Sequence, residues 1–327
     1  MTTMKAVWIE ALGGAEVMQL IDQPIPEPTS KQVRVKVEAV GLNYSDIMIR
    51  EGKYLQRTQL PQVLGREFAG VIDVVGAEVK GLTAGMRVYG TVTQGALAEY
   101  VCADYRGLLP VAEGMTSDMA VALIIQGITA LHCLNEHGNL KAGETVLIHA
   151  AAGGVGTLAI QMAKAMGARV IGTASSEMKC QLIRDLGAEA INYSEGDWVA
   201  EVMTLTDGKG ADLIIESVGG DVFLRSYREA LSTFGRIIVL GIANGEPVNI
   251  STSEILKRNK AIIGYFLAVY FEKTPHLVAE AIGRLLALVQ AGTVKPIIGA
   301  TYPLTETVAA FDHMQGRGSV GKVIIKP

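Results

Sequence analysis

The stretch Thr145-Val146-Leu147-Ile148-His149-Ala150-Ala151-Ala152-Gly153-Gly154-Val155-Gly156 decides the fold. It opens as an apolar run of strand length. Small residues follow, and residues 157–166 then read as a helix. Ala151-x-Gly153-x-x-Gly156 has dinucleotide-fingerprint spacing, with alanine in the first glycine position. Each small residue has a steric reason. The first allows a tight turn out of the strand, Gly153 lets backbone approach a pyrophosphate, and Gly156 lets the helix lie close on the sheet. The new helix offers free N–H groups and its positive dipole end to phosphate.

Outward from this turn the pattern repeats. Residues 168–173, 190–193, 212–217 and 236–240 are apolar runs of strand length, with helix candidates at 177–186 and 197–204 between them. Strand alternating with helix at this spacing predicts a parallel, doubly wound sheet. The first third of the chain follows another grammar. Val33-Arg34-Val35-Lys36-Val37-Glu38-Ala39-Val40 alternates apolar and polar residues, and further short strands are separated by glycine turns. That predicts a compact barrel-like or sandwich domain. Residues 118–136 and 275–291 read as helices, and the strand-like segments 296–298 and 321–325 are expected to rejoin the first domain.

Composition narrows the class. At 327 residues the chain is long enough for two domains. With 49% hydrophobic and 19% charged residues it is not a disordered chain. The net charge of −4, a pI near 5.8 and the lack of a basic block argue against a nucleic-acid surface. Cys102, Cys133 and Cys180 lie far apart without CxxC spacing, which fits a reducing compartment better than a disulfide framework. No signal-peptide core opens the chain, and the apolar run 119–125 is too short to span a bilayer. A cytoplasmic protein without a membrane partner is expected.

The end of the second strand bears on the choice of dinucleotide. Sites for NAD usually place Asp or Glu there for the ribose 2′-hydroxyl. This chain has Thr173-Ala174-Ser175-Ser176-Glu177-Met178-Lys179. Two serines and a lysine suit a 2′-phosphate, so NADPH is the expected cofactor. Glu177, at a helix start, is expected to face solvent.

Four motifs carry a family resemblance: Gly41-Leu42-Asn43-Tyr44-Ser45-Asp46, Leu64-Gly65-Arg66-Glu67-Phe68-Ala69-Gly70, the glycine turn, and Gly318-Ser319-Val320-Gly321-Lys322-Val323. Through them nearly the whole chain resembles the medium-chain dehydrogenase/reductase superfamily, in particular its zinc-free quinone oxidoreductase branch, which includes zeta-crystallin. The resemblance implies an α/β protein with a β-rich GroES-like catalytic domain, residues 1–123 and 267–327, and an inserted Rossmann domain, residues 124–266. Zinc-binding relatives use cysteine, histidine and carboxylate ligands. The matching positions here are Asn43, Arg66 and Gln126, so no metal is expected.

The resemblance also implies site residues. Asn43 and Thr129 would lie near the nicotinamide and its ribose. Gly153, Gly154 and Val155 would hold the pyrophosphate, and Ser175, Lys179 and Tyr193 the 2′-phosphate. Ser217, Val218, Gly241 and Ile242 would follow strands beside the cofactor. Phe266 and Leu267 would bind the carboxamide through their backbone, and Lys322 would be a late cofactor contact. Tyr54 would stand nearest the acceptor, as a donor or an aromatic wall. Arg66 would contact an acidic substrate group or, preferably, form a salt bridge with Glu67 or Asp46. Tyr54, Asn43 and Arg66 are thus the candidate catalytic residues. Met48 replaces a tyrosine found in some relatives. The implied activity is NADPH-dependent hydride transfer to a quinone or another α,β-unsaturated carbonyl. An enoyl-thioester reductase and a non-catalytic NADPH-binding protein are the alternatives. A homodimer is expected.

Overall fold

The computed structural model describes residues 2–327. The chain divides into two compact units, residues 1–124 with 298–327, and residues 125–297. The first unit contributes β1 (Thr3–Ile9), β2 (Gln19–Pro24), β3 (Gln32–Leu42), β4 (Gln62–Val63), β5 (Glu67–Val75), β6 (Arg87–Thr91), β7 (Tyr100–Asp104) and β8 (Leu108–Pro110). The second contributes β9 (Thr145–Ile148), β10 (Arg169–Ala174), β11 (Glu189–Asn192), β12 (Ala211–Glu216), β13 (Leu231–Val239) and β14 (Ala261–Gly264). The chain then returns to the first unit for β15 (Ile298–Pro303) and β16 (Lys322–Lys326).

In the first unit a seven-stranded sheet runs β15-β16-β3-β5-β6-β8, with β7 also paired to β3. A small sheet, β2-β1-β4, accompanies it. The alternation along β3 buries Val33, Val35 and Val37 and turns the residues between them outward. From Ala39 to Leu42 the strand is buried continuously, and there it pairs with β16: Val323 with Leu42 and Ile324 with Gly41. The core gathers these valines with Phe68, Ile72, Leu97, Val323 and Ile325.

The second unit is a six-stranded parallel sheet in the order β11-β10-β9-β12-β13-β14. Its middle strands are sealed on both faces, as their unbroken apolar runs require; Val146, Leu147, Leu213, Ile214, Ile237 and Ile238 are all buried. From β9 the chain steps outward through β10 to β11, then crosses back to β12 on the other side of β9. The topological switch point therefore lies between β9 and β12, where doubly wound sheets bind ligands at their strand ends.

The unit boundaries differ from the expected ones. The first moves by one residue. The second falls at 297/298 rather than 266/267, because helix Pro275–Gln290 stays with the parallel sheet's unit. Its buried stripe is Val278, Ala281, Ile282 and Leu285, at helical spacing. Leu285 lies so close to Gly127 that a Cβ there would meet its Cδ2 at 2.4 Å.

The expected helix at 118–136 forms as two α-helical pieces, Ser117–Val121 and Ile124–Leu131, continued by a π-turn, His132–His137. Taken together, Ser117–His137 is long and apolar enough to cross a membrane, longer than the 119–125 run suggests. Yet 83% of its most apolar window is buried inside the protein, so it is a core helix here.

Candidate functional site

The glycine turn lies at the C-terminal end of β9, beside the switch point. Ala150 leaves the strand with φ of 49°. The Ala150 carbonyl then accepts from Gly153 N at 2.9 Å, and helix Gly154–Ala165 begins. No side chain caps that helix, so its first N–H groups remain for an anion. Gly156 has no room for a side chain: a Cβ would sit 2.5 Å from the Ala151 carbonyl oxygen and 2.6 Å from Ala151 Cα. At Gly153 a Cβ would meet only the Ala150 oxygen, at 3.2 Å. Gly156 thus serves packing, and Gly153 leaves the mouth of the turn bare. Such a cradle fits a pyrophosphate.

Ser175 follows β10, and Ser176 caps helix Glu177–Asp185 in extended conformation. Tyr193 follows β11, and its N–H donates to the Ala174 carbonyl at 3.0 Å, which ties the two strand ends together. Lys179 is buried rather than solvated. Glu177 faces solvent, as expected, with its side chain 67% exposed, and pairs there with Arg184. Its negative charge is screened by water and partly offset by the guanidinium.

At the end of β12, Glu216 is wholly buried. Its Oε1 accepts from Val218 N at 2.6 Å and Gly219 N at 3.0 Å. Burial pushes its pKa upward against those bonds. The Ser217 and Val218 carbonyls accept from Ala243 N and Asn244 N at 3.1 and 2.9 Å. Ser217, Val218, Gly241 and Ile242 therefore form one laced pair of loops beside the glycine turn.

Further along the strand ends, Tyr265 follows β14 and its N–H donates to the Val239 carbonyl at 2.9 Å. Phe266 caps helix Leu267–Lys273. Buried Thr129 hydrogen-bonds the Tyr265 phenol, and Tyr265 OH lies 3.1 Å from His132 Nδ1. His149 lies deeper, under the glycine turn. Its ring nitrogens meet Thr173 Oγ1 at 2.9 Å and Ser226 Oγ at 2.8 Å. Burial pushes its pKa down to about 4, so it is a neutral core histidine.

The remaining candidates lie in the first unit. Lys322 Nζ donates to Asn43 Oδ1 at 2.9 Å and to Glu67 Oε2 at 2.7 Å. Asn43 Nδ2 donates to the Gly41 carbonyl at 3.2 Å and to Glu67 Oε2 at 3.3 Å. The Asn43 N–H donates to Asp46 Oδ2 at 2.8 Å, closing a capping box for helix Tyr44–Arg50. Burial raises the Asp46 pKa to about 6, and its Oδ1 has no hydrogen-bond partner. Arg66 does not make the preferred salt bridge with Glu67 or Asp46. Its Nη1 donates to Tyr54 OH at 2.9 Å, and the guanidinium carbon lies 5.2 Å from that ring's centre. Glu67 is already held by Lys322 and Asn43, which leaves Arg66 to the phenol.

Known proteins share this fold. A family described as alcohol dehydrogenase GroES-like domain matches residues 29–113, and one described as zinc-binding dehydrogenase matches residues 154–283. Quinone oxidoreductase from Mus musculus is 36% identical, covering 98% of this chain and 97% of its own length. Among solved structures, Escherichia coli quinone oxidoreductase complexed with NADPH is 30% identical with a TM-score of 0.93, covering 99% of this chain and all of its own. The Thermus thermophilus quinone oxidoreductase, also studied as its NADPH complex, is 35% identical with a TM-score of 0.86, at the same coverage.

This chain belongs to the quinone oxidoreductase family.

The zinc in one matching family's description does not fit this family member. At the ligand positions stand an amide, Asn43, and a guanidinium, Arg66, and the Lys322 ammonium lies within hydrogen-bond distance of Asn43. A divalent cation beside two positive side chains would be repelled. No group of three His, Cys, Asp or Glu side chains suited to a metal exists among the described residues. The family motifs do not bring forward Glu216, Tyr265 or His132. Glu216 has a readable signal, an acid closing an apolar strand. Tyr265 and His132 have none, being 133 residues apart.

Proposed function

We propose that this chain reduces quinones or other α,β-unsaturated carbonyl compounds with NADPH and without a metal. The observation that carries this is the glycine turn at the switch point, where Gly153 leaves bare backbone and an uncapped helix end for a pyrophosphate. The NADPH complexes of the Escherichia coli and Thermus thermophilus relatives support the cofactor. Ser175, Lys179 and Tyr193 select the 2′-phosphate, and Glu177, exposed and paired with Arg184, turns its charge to solvent. Gly154 and Val155 hold the pyrophosphate with Gly153. Ser217, Val218, Gly241 and Ile242 flank the cofactor, Phe266 and Leu267 take the carboxamide through their backbone, and Thr129 lies at the nicotinamide.

When bound, NADPH supplies a hydride to the acceptor's carbon. The chain orients the acceptor and meets the negative charge that develops on its oxygen. Tyr54 and Arg66 are the donors assigned to that oxygen, the guanidinium fixing the phenol through the 2.9 Å bond. Lys322 fixes Asn43 with both ends of its amide engaged, and so shapes the wall rather than exchanging protons. A homodimer through the β14 edge, where Ile262 is exposed, fits the sheet order. Three unpaired cysteines fit a cytoplasmic setting.

The test is NADPH oxidation by the purified chain against quinones, alkenals and enoyl thioesters, with NADPH binding measured in parallel. Turnover with quinones or alkenals is expected. Preference for thioesters makes it an enoyl reductase, and binding without turnover makes it a binding protein.

A further inference from the structure

Four ring side chains, His132, His137, Tyr265 and Tyr270, crowd around the π-turn of the second unit. Through them runs one ordered line of hydrogen bonds. The Thr129 hydroxyl bonds the Tyr265 phenol, and the phenol bonds His132 Nδ1 at 3.1 Å. The other ring nitrogen of His132 donates to the Leu277 carbonyl. Thr129 and Tyr265 are buried near the strand ends where the cofactor is assigned. The far end of the line opens on a cavity of about 20 Å³, lined by His132, Glu136, Leu277, Glu280, Ala281 and Arg284. That volume accommodates roughly one water molecule.

We propose that Thr129, Tyr265 and His132 form a proton relay that delivers the proton to the reduced acceptor's oxygen. This rests on the reductase reading above and on Thr129 lying at the nicotinamide. The line has two senses, differing by one proton on His132. With His132 neutral, Nδ1 accepts from Tyr265, Tyr265 accepts from Thr129, and the relay is unloaded. With His132 protonated, Nδ1–H donates to the phenol oxygen, the phenol donates to Thr129, and the Thr129 O–H points onward.

The step is proton transfer alone. The anionic oxygen of the acceptor takes the Thr129 proton as that O–H bond breaks. Thr129 takes the phenol proton, and the phenol takes the Nδ1 proton. His132 is left neutral with its Leu277 bond intact; a proton from solvent in the cavity then adds to Nδ1 as the Tyr265 and Thr129 hydroxyls turn back to the loaded sense. Only Thr129 touches substrate, and the other two act through it.

Every charged neighbour bears on the loading. Glu136 favours protonated His132, while His137 and Arg284 disfavour it. Glu280 also faces the cavity, and Arg284 is partly offset by its 2.8 Å pair with Glu136. The Tyr265 and Tyr270 rings supply the burial. The net effect holds the His132 pKa below its usual value. The loaded form, and with it kcat, therefore grows as pH falls and is lost as pH rises.

Two measurements test this. In the cofactor-free protein, ¹⁵N-histidine NMR should show Nδ1 of His132 as the titrating nitrogen, and Tyr265→Phe should move that signal and its midpoint while leaving His149, His276 and His313 in place. In turnover with a simple quinone, Tyr265→Phe and Thr129→Val should each lower kcat about 100-fold and abolish the acid-side rise, with NADPH affinity of Tyr265→Phe within about twofold of wild type. A purely structural role for Tyr265 would leave the pH profile's shape unchanged. If Tyr265→Phe keeps both kcat and the acid-side rise, the relay is wrong and the reductase reading stands. If the wild-type chain binds NADPH but reduces no quinone, alkenal or enoyl thioester, both fall.

Discussion

Lys322 Nζ lies 2.7 Å from Glu67 Oε2, and both side chains are almost wholly shut from solvent, at 2% and 0% exposure. One sits on the last strand of the first unit and the other on β5, with β3 between them. The pair bolts the sheet together and holds the Asn43 amide.

Lys322→Met should therefore take from the buried Glu67 carboxylate its ammonium partner. Removing one partner of a buried pair costs about 3–5 kcal/mol. The double variant Lys322→Met/Glu67→Gln should recover much of that loss. Urea unfolding of wild type, both singles and the double measures it; additive losses would refute a coupled pair.

The two glycines of the turn should separate fold from function. Gly156→Ala forces a Cβ to 2.5 Å from backbone and should cost roughly 1–3 kcal/mol of stability. Gly153→Ala meets only one oxygen at 3.2 Å and should fold normally, yet lose NADPH affinity by tenfold or more, about 1.4 kcal/mol. Thermal melts and fluorescence titration check the two halves.

Lys179→Met should lower NADPH affinity at least tenfold, about 1.4 kcal/mol, and leave NADH affinity almost unchanged. Arg184→Met should act in the same direction, because it releases Glu177 from its ion pair. Equal losses for both dinucleotides would show that the 2′-phosphate is bound elsewhere.

Stability should carry a histidine's signature in acid. The His149 pKa is about 4 folded against 6.5 unfolded, so between those values the unfolded chain binds the extra proton. Stability then falls as pH drops through that window, by about 3 kcal/mol in all. Asp46 works oppositely: raised to about 6 from 3.8, it takes up its proton in the folded state first and gains stability on acidification. The two overlap, so urea unfolding across pH must compare wild type with His149→Gln. The variant should lack the acid loss.

What the chain reveals before folding depends on the distance over which a residue's meaning is set. β9 to β14 are readable because a strand buried on both faces must be apolar throughout, and the glycine turn is readable because its sterics are local. Helix Pro275–Gln290 shows an apolar stripe, which says that it packs but not against what. Its allegiance to the parallel sheet is therefore invisible in the sequence. Arg66 illustrates the same limit. Glu67 is its neighbour in sequence, yet Lys322, 255 residues away, claims that carboxylate. The serines proposed for the 2′-phosphate are legible as residue types, whereas the pairing of Arg184 with Glu177 needs the helix to be built.

The return of the chain to its first unit also sets a timetable. On the ribosome, Glu67 is synthesised 255 residues before Lys322. Until β16 arrives, the carboxylate lacks the Lys322 ammonium and β3 lacks the pairing with β16. The parallel sheet, continuous in sequence, can be complete well before then. A nascent chain is thus ready to fold its nucleotide-binding half early, and remains unfinished in the other half until β16 emerges. A product cut short before Lys322 would keep the glycine turn and lose the buried pair that steadies Asn43.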